Sequence, residues 1–195
     1  DFPNHGSYDW GDSQRIKRLD RLLRDRSMHT RQSFIDAQLD SISFTARTLL
    51  PLVGGEFWFT AKNGPPDTIE RDRYIALSLL GKWDGDMNEH LPEPLIYSAW
   101  MRALQDRLIR DEIGPLADTF SHVEPLFIER VYRDIEGASK WCDIVQSSQL
   151  ETCHNIANLS LNDAIISLKE AYGVSIEELR WGDSHQAIHL HMALG

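Results

Sequence analysis

Apolar residues recur through this chain at steps of three and four, between stops marked by proline and glycine. That pattern confines the chain to helical packing. Ile16, Leu19, Leu22 and Leu23 form one stripe on a first helix ending near Arg26, and Asp12 or Ser13 can cap its free amide groups. Thr30 is placed to cap a second helix. There Ile35, Leu39, Ile42, Ala46 and Leu49 read as a heptad-like seam that stops at Pro51 and Gly54-Gly55. A short link between the two predicts an antiparallel helical hairpin.

Glu56 to Thr60 is short and aromatic, and reads as a strand or a packed loop. Asn63-Gly64-Pro65-Pro66-Asp67 breaks the chain, after which Asp67 or Thr68 caps a helix stopping at Gly81. Pro94 suits the first turn of a long helix carrying Ile96, Trp100, Leu104, Leu108 and Ile113 as far as Gly114-Pro115. Further helices are predicted over 117–136, with a break near Pro125, then over 138–147 and 149–172, the last stopped by Gly173. Residues 176–179 fit a single short turn. From Gln186 the pattern changes: Ile188, Leu190, Met192 and Leu194 alternate, which is the period of a strand lacking its partner. The expected fold class is therefore mainly α. It is a multi-helix domain over 1–195, with an extended arm over 1–9, a helical core over 10–179 and a return segment over 180–195.

Charge narrows the function classes. Thirty acidic residues against 20 basic ones give a net charge of −10, the wrong sign for displacing counterions from nucleic acid or an anionic membrane. The first helix is a local exception, with Lys17, Arg18, Arg21 and Arg24 opposite its stripe. It lacks interleaved aromatics and reads as a solvated face or one paired with acidic neighbours, Asp20 and Arg24 being four apart. No apolar run reaches the length of a membrane span. The chain opens on Asp1-Phe2-Pro3-Asn4 without an initiator Met or a signal pattern. The expectation is a processed subunit or a cut fragment.

Few residues offer chemistry. His185, His189 and His191, with Asp183 nearby, could ligate zinc from one strand face, but hydrogen-bonded or solvent-facing histidines are the preferred reading, and no metal site is assigned. Asp84, Asp86 and Asn88 alternate like calcium ligands. Glu89 then stands where such a loop needs glycine, and Leu95 where it needs glutamate, so a turn is predicted. Cys142 and Cys153 admit either a disulfide, closing a short polar loop and implying an oxidising compartment, or two buried thiols; the disulfide is preferred. No nucleophile elbow, phosphate loop or dinucleotide fingerprint occurs.

One resemblance supplies what composition does not. Trp10-Gly11, Arg15-Ile16, Leu19 and Leu22-Leu23 are similar to a β-chain segment of the penicillin acylase family of N-terminal-nucleophile amidohydrolases. Gln38-Leu39-Asp40, Ser43, Ala46 and Leu49-Leu50-Pro51 resemble a helix of that family, Leu80 to Gly85 its Leu-x-x-Trp-x-Gly turn, and Trp181-Gly182 with His185 the segment leading back into its central sheet. Cysteines spaced like Cys142 and Cys153 occur in relatives. These four motifs, in order, span nearly the whole chain.

The resemblance implies a four-layer αββα enzyme whose precursor cleaves itself to free a serine amine. That serine attacks an amide carbonyl with its own amine as base, and an asparagine and backbone amides hold the oxyanion. By family pattern the serine lies far upstream and the asparagine shortly before residue 1, and Asp1 cannot be the nucleophile. Arg15, five after Trp10, matches the arginine that supports the oxyanion asparagine in relatives; the alternative is an ordinary helix-surface arginine. The family's calcium draws an aspartate from the arm before this tryptophan. The corresponding place here carries Gly6, with Asn4 and Asp9 beside it, a departure from the pattern.

The expected function is the helical β-chain segment of a penicillin acylase-like amidohydrolase, inactive alone. The whole enzyme would hydrolyse an acyl amide: a β-lactam side chain, an acyl-homoserine lactone or a lipopeptide. Its expected partners are the α chain and the nucleophile-bearing part of the β chain, with no cofactor in this chain, calcium in the parent enzyme, and a periplasmic or secreted location. The alternative is an independent helical interaction domain without catalysis.

Overall fold

The computed structural model describes residues 13–55 and 57–186. Nine α-helices make up most of the described chain: α1 (Gln14–Arg24), α2 (Arg31–Gln38), α3 (Phe44–Gly54), α4 (Phe57–Thr60), α5 (Ile69–Leu80), α6 (Glu93–Ile113), α7 (Pro125–Tyr132), α8 (Cys153–Tyr172) and α9 (Trp181–Ser184). Tighter 3-10 segments occupy Gly114–Thr119, Ile135–Cys142 and Ile176–Glu178. Among the described residues the only β pairing is one antiparallel bridge, Ile42 to Asp86. The chain is mainly α, as its periodicity predicts.

Its core is centred on α6 and α8, which pack more extensively than any other pair. Trp100 is fully buried, and an indole taken out of water needs an acceptor. Its Nε1 donates to the Ala157 carbonyl at 3.0 Å and to Ser160 Oγ at 3.1 Å. Small residues on α8 (Ala157, Ser160 and Ala164) are buried there and admit the large ring. Farther along, Arg107 pairs with Asp163. Residue numbers thus rise together along the two helices, and α7 with the 3-10 segments carries the chain back between them. Gln105 secures that crossover: its Nε2 donates to the Phe120 and His122 carbonyls, and its Oε1 accepts from the Glu124 amide.

Caps form where side-chain chemistry allows. Thr30 and Ser33 make a reciprocal capping box on α2, Ser43 caps α3, Thr68 caps α5, and Thr152 with Asn155 caps α8. Gly173 ends α8 in the left-handed conformation. The spans of α5 and α6 match expectation.

Several expectations fail locally. The seam from Ile35 to Leu49 is not one helix. The chain leaves α2 at Leu39, which is 76% exposed, and re-enters a helix at Ser43. Backbone bonds hold the gap open: the Ser43 amide donates to the Gly85 carbonyl at 2.8 Å, and the Met87 amide to the Ser41 carbonyl at 3.0 Å. In consequence α1 packs chiefly on α3, not as a hairpin mate of α2. Pro51 does not stop α3. It faces solvent together with Arg47, the residue four before it, so the carbonyl that loses its donor can bond water.

The segment Phe57–Thr60 is a helical turn rather than a strand or loop. The expected helices over 117–136 and 138–147 shrink to α7 and to 3-10 turns, because Asp134, Glu136 and Gly137 take positive φ. α8 likewise starts at its Thr152 cap rather than at 149. Between them Cys142 and Cys153 form a disulfide with Cα atoms 4.9 Å apart. Burial pushes the nearby Tyr132 hydroxyl above the ordinary phenol range, and it donates to the Cys153 carbonyl at 2.9 Å. The expected strand over 186–194 and the arm over 1–9 lie outside the described residues, apart from Gln186.

Candidate functional site

A groove of about 610 Å³ runs between α1, the Gln38–Thr45 link and Met87. It gathers residues far apart in sequence. Gln14, Arg15, Arg18 and Leu22 come from α1; Gln38, Asp40 and Ser43 come from the link. Two of the motifs quoted for the family resemblance thereby meet along one wall.

Arg18 and Asp40 hold this wall together. The Arg18 guanidinium reaches both carboxylate oxygens, with Nε to Oδ2 at 2.9 Å. The side chains are 17% and 14% exposed, so water screens the pair only in part. The Arg18 hydrogen bond, opposed by burial, holds the Asp40 carboxyl below its usual range. The charge of Arg18, the Ile42 amide and the charge of Arg47 act in the same direction. Arg21 adds a contact from the same face, its guanidinium 5.8 Å from the centre of the Phe44 ring.

Arg15 stands apart from these neighbours. It is exposed in the second position of α1 and makes no hydrogen bond or ion pair with any described residue. The preceding residue, Gln14, is 2% exposed and lines the groove. The next turn carries Ile16 at 67% exposure and Leu19 at 46%. The first half of the apolar stripe therefore faces outward, while Leu22 and Leu23 are half-buried. Chemically, the described part of the groove offers the Arg15 guanidinium beside the exposed side chains of Ile16 and Leu19.

The other candidates separate. His185 stacks on Trp181 at 4.8 Å, next to α9, which carries Asp183. His189, His191 and the expected calcium neighbourhood at Asn4, Gly6 and Asp9 lie outside the described residues. In the 84–88 turn each of the three side chains has a local task. Asp84 accepts from the Asp86 amide, Asp86 from the Ser41 hydroxyl, and Asn88 from the His90 amide. Among the described residues no group of three or more His, Cys, Asp or Glu is placed to hold a metal ion.

The Arg18–Asp40 pair was not legible. Asp40 belongs to a quoted motif and Arg18 to the basic face, but nothing in their spacing shows that they meet across 22 positions.

Comparison with known proteins adds one match. The family model described as Penicillin amidase covers residues 1–195, the whole of the sequence given. No curated protein matches the chain.

Proposed function

Because the chain belongs to the penicillin amidase family, we propose that it is the helical β-chain segment of an enzyme hydrolysing an acyl amide. The serine nucleophile and the oxyanion asparagine belong to other parts of that enzyme. The substrate class is a small acyl amide, such as a β-lactam side chain, an acyl-homoserine lactone or a lipopeptide. The observation that supports this most is Arg15, an exposed guanidinium that lines the groove and whose side chain pairs with no described residue. Lys17 is likewise unpaired but does not line the groove, and Arg18 and Arg24 pair with Asp40 and Asp20.

Arg15 in this reading is a positioning residue. Its flat fork can donate to the side-chain carbonyl of the asparagine and to a carboxylate at once, aiming the asparagine amide at the developing oxyanion. The exposed Ile16 and Leu19 then meet the rest of the same enzyme. Neither nucleic acid nor a membrane surface is a partner. No cofactor resides in this chain; calcium belongs, in this reading, to the whole enzyme. The disulfide is of the kind that persists in oxidising compartments, and no helix among the described residues is long and apolar enough to cross a membrane. We place the enzyme in the periplasm or outside the cell.

Arg15→Ala and Arg15→Lys in the full-length enzyme test the reading, with precursor cleavage, kcat and KM measured separately. Loss of an oxyanion donor costs about 10²–10³ in kcat; a residue acting through that donor should cost less, on the order of tenfold to a hundredfold, with KM little changed. Normal cleavage and unchanged kinetics in both variants would refute the positioning role given to Arg15.

A further inference from the structure

A second groove, of about 730 Å³, lies between α3, α4, α5 and the Gly81–Gly85 turn. It shares no lining residue with the Arg15 groove. Its walls are aromatic, including Trp58, Phe59, Tyr74 and Trp83, and two cations, Arg47 and Lys82, stand among them. No described carboxylate lines it, in a chain with 30 acidic residues against 20 basic ones. Such a concentration of cations on apolar walls runs against the charge of the whole protein.

The walls are held in place before any ligand arrives. A Cβ on Gly54 would lie 2.1 Å from Trp58 Cζ2, and one on Gly81 would lie 3.5 Å from Trp58 Cε3. The indole therefore occupies a slot between two glycines, and any side chain at 54 would expel it. Arg47 is held by its Nε, which donates to the Asp84 carbonyl at 2.6 Å. Gly85, at φ +90°, keeps that space clear, since a Cβ there would come within 3.3 Å of Arg47 Cγ. Lys82 is exposed, and its ammonium makes no hydrogen bond or ion pair with any described residue. The Trp83 ring is held by its Nε1, which donates to the Asp86 carbonyl at 2.8 Å.

We propose that this groove binds an amphipathic organic carboxylate, its apolar or aromatic body against Trp58 and Tyr74 and its carboxylate on Lys82 and the Arg47 guanidinium. The volume is that of a small-molecule site. The ligand's apolar body would lie on rings that are already positioned, so little ordering opposes binding. The carboxylate supplies an anion that the described lining lacks. The proposal is independent of amide hydrolysis.

The test uses the full-length protein with 4-phenylbutyrate and its uncharged analogue 4-phenylbutanol, read by titration calorimetry and tryptophan fluorescence. The acid is expected to bind at least tenfold more tightly than the alcohol, and its affinity alone should fall as salt rises. Lys82→Glu should weaken the acid tenfold or more, while Lys82→Arg keeps it. Ser78→Phe, which puts a ring into the groove lining, should abolish binding of both compounds, circular dichroism confirming that each variant is folded. Equal affinity for acid and alcohol overturns the proposal. Unchanged binding in Lys82→Glu places the acid elsewhere and overturns it equally. No binding to the full-length protein means that polypeptide covers the groove, which also refutes a small-molecule site. Amide turnover by the same preparations is a separate reading, and its absence would not touch this result.

Discussion

Helices α6 and α8 differ sharply from α1 and α2 in what they bury. The first two bury ten and seven residues, mostly large and apolar. The second two bury one each, Gln14 and Ser33, both polar. Yet α1 carries the cleaner stripe in sequence, with Ile16, Leu19, Leu22 and Leu23 on one face. Amphipathic spacing shows that a face is suited to cover, and does not show whether the same chain supplies it. In the core the cover is internal. On α1 Ile16 and Leu19 stay exposed while Leu22 and Leu23 are half-buried, and an exposed apolar strip is the condition expected of a face that meets another surface.

Four perturbations would break or sharpen this contrast. Trp100→Ala should have the largest effect, because it empties a fully buried site and removes the indole donor to Ala157 and Ser160, which stay bonded to each other. A loss of about 3–5 kcal/mol is expected in denaturant titration, with α6 and α8 failing together. A loss under about 1 kcal/mol would mean that the core is not centred there. Reduction of Cys142–Cys153 comes next, at about 2–4 kcal/mol. Thermal melts with and without reductant measure it, and identical melting would show that the loop needs no covalent closure.

Asp40→Asn should cost about 1.5–3 kcal/mol, but locally: hydrogen exchange should quicken in α1 and leave α6 and α8 unchanged. Acid should reproduce it. The folded Asp40 carboxyl sits below its unfolded value of about 3.9, so its contribution is complete above that value and is lost as pH falls through the lower folded one. Exchange that quickens equally in both regions would erase the contrast. The smallest effect belongs to Ile16→Ser, within about 0.5 kcal/mol in this chain, since an exposed site has little to lose. In the full-length enzyme the same change should impair assembly or precursor cleavage. A large loss in the chain by itself would show that Ile16 is already covered.

What was legible follows the same division. Where burial and local chemistry coincide, as at Thr68, Gly81, Pro94 and Gly173, the helix ends are readable from single residues. The break between α2 and α3 was not, because it depends on backbone hydrogen bonds that join Ser41 and Ser43 to a turn more than 40 positions away, the Ser43 amide donating to it and the Ser41 carbonyl accepting from it. The run Asp134, Glu136 and Gly137 shows the same limit: only the glycine advertises a positive φ, and the two acidic residues take theirs where local spacing still reads as helix. In the candidate site, Arg15 is legible through the motif that contains it, whereas the Arg18–Asp40 clasp exists only in three dimensions.

The contact between the two ends of the core also has a consequence for the order of events in folding. Trp181 and Gly182 donate their amides to the Leu91 and Glu89 carbonyls at 3.0 and 2.9 Å, and a Cβ on Gly182 would already stand 3.2 Å from Glu89 Cβ. That clasp closes a loop about eight times longer than the one spanned by the disulfide, which costs about 1.8 kcal/mol more on a logarithmic scale of loop length. It can form cheaply only after α6, α7 and α8 have shortened the path between its ends. The route toward the C-terminus is thus secured late, and its direction is an output of a finished core rather than a guide to building one.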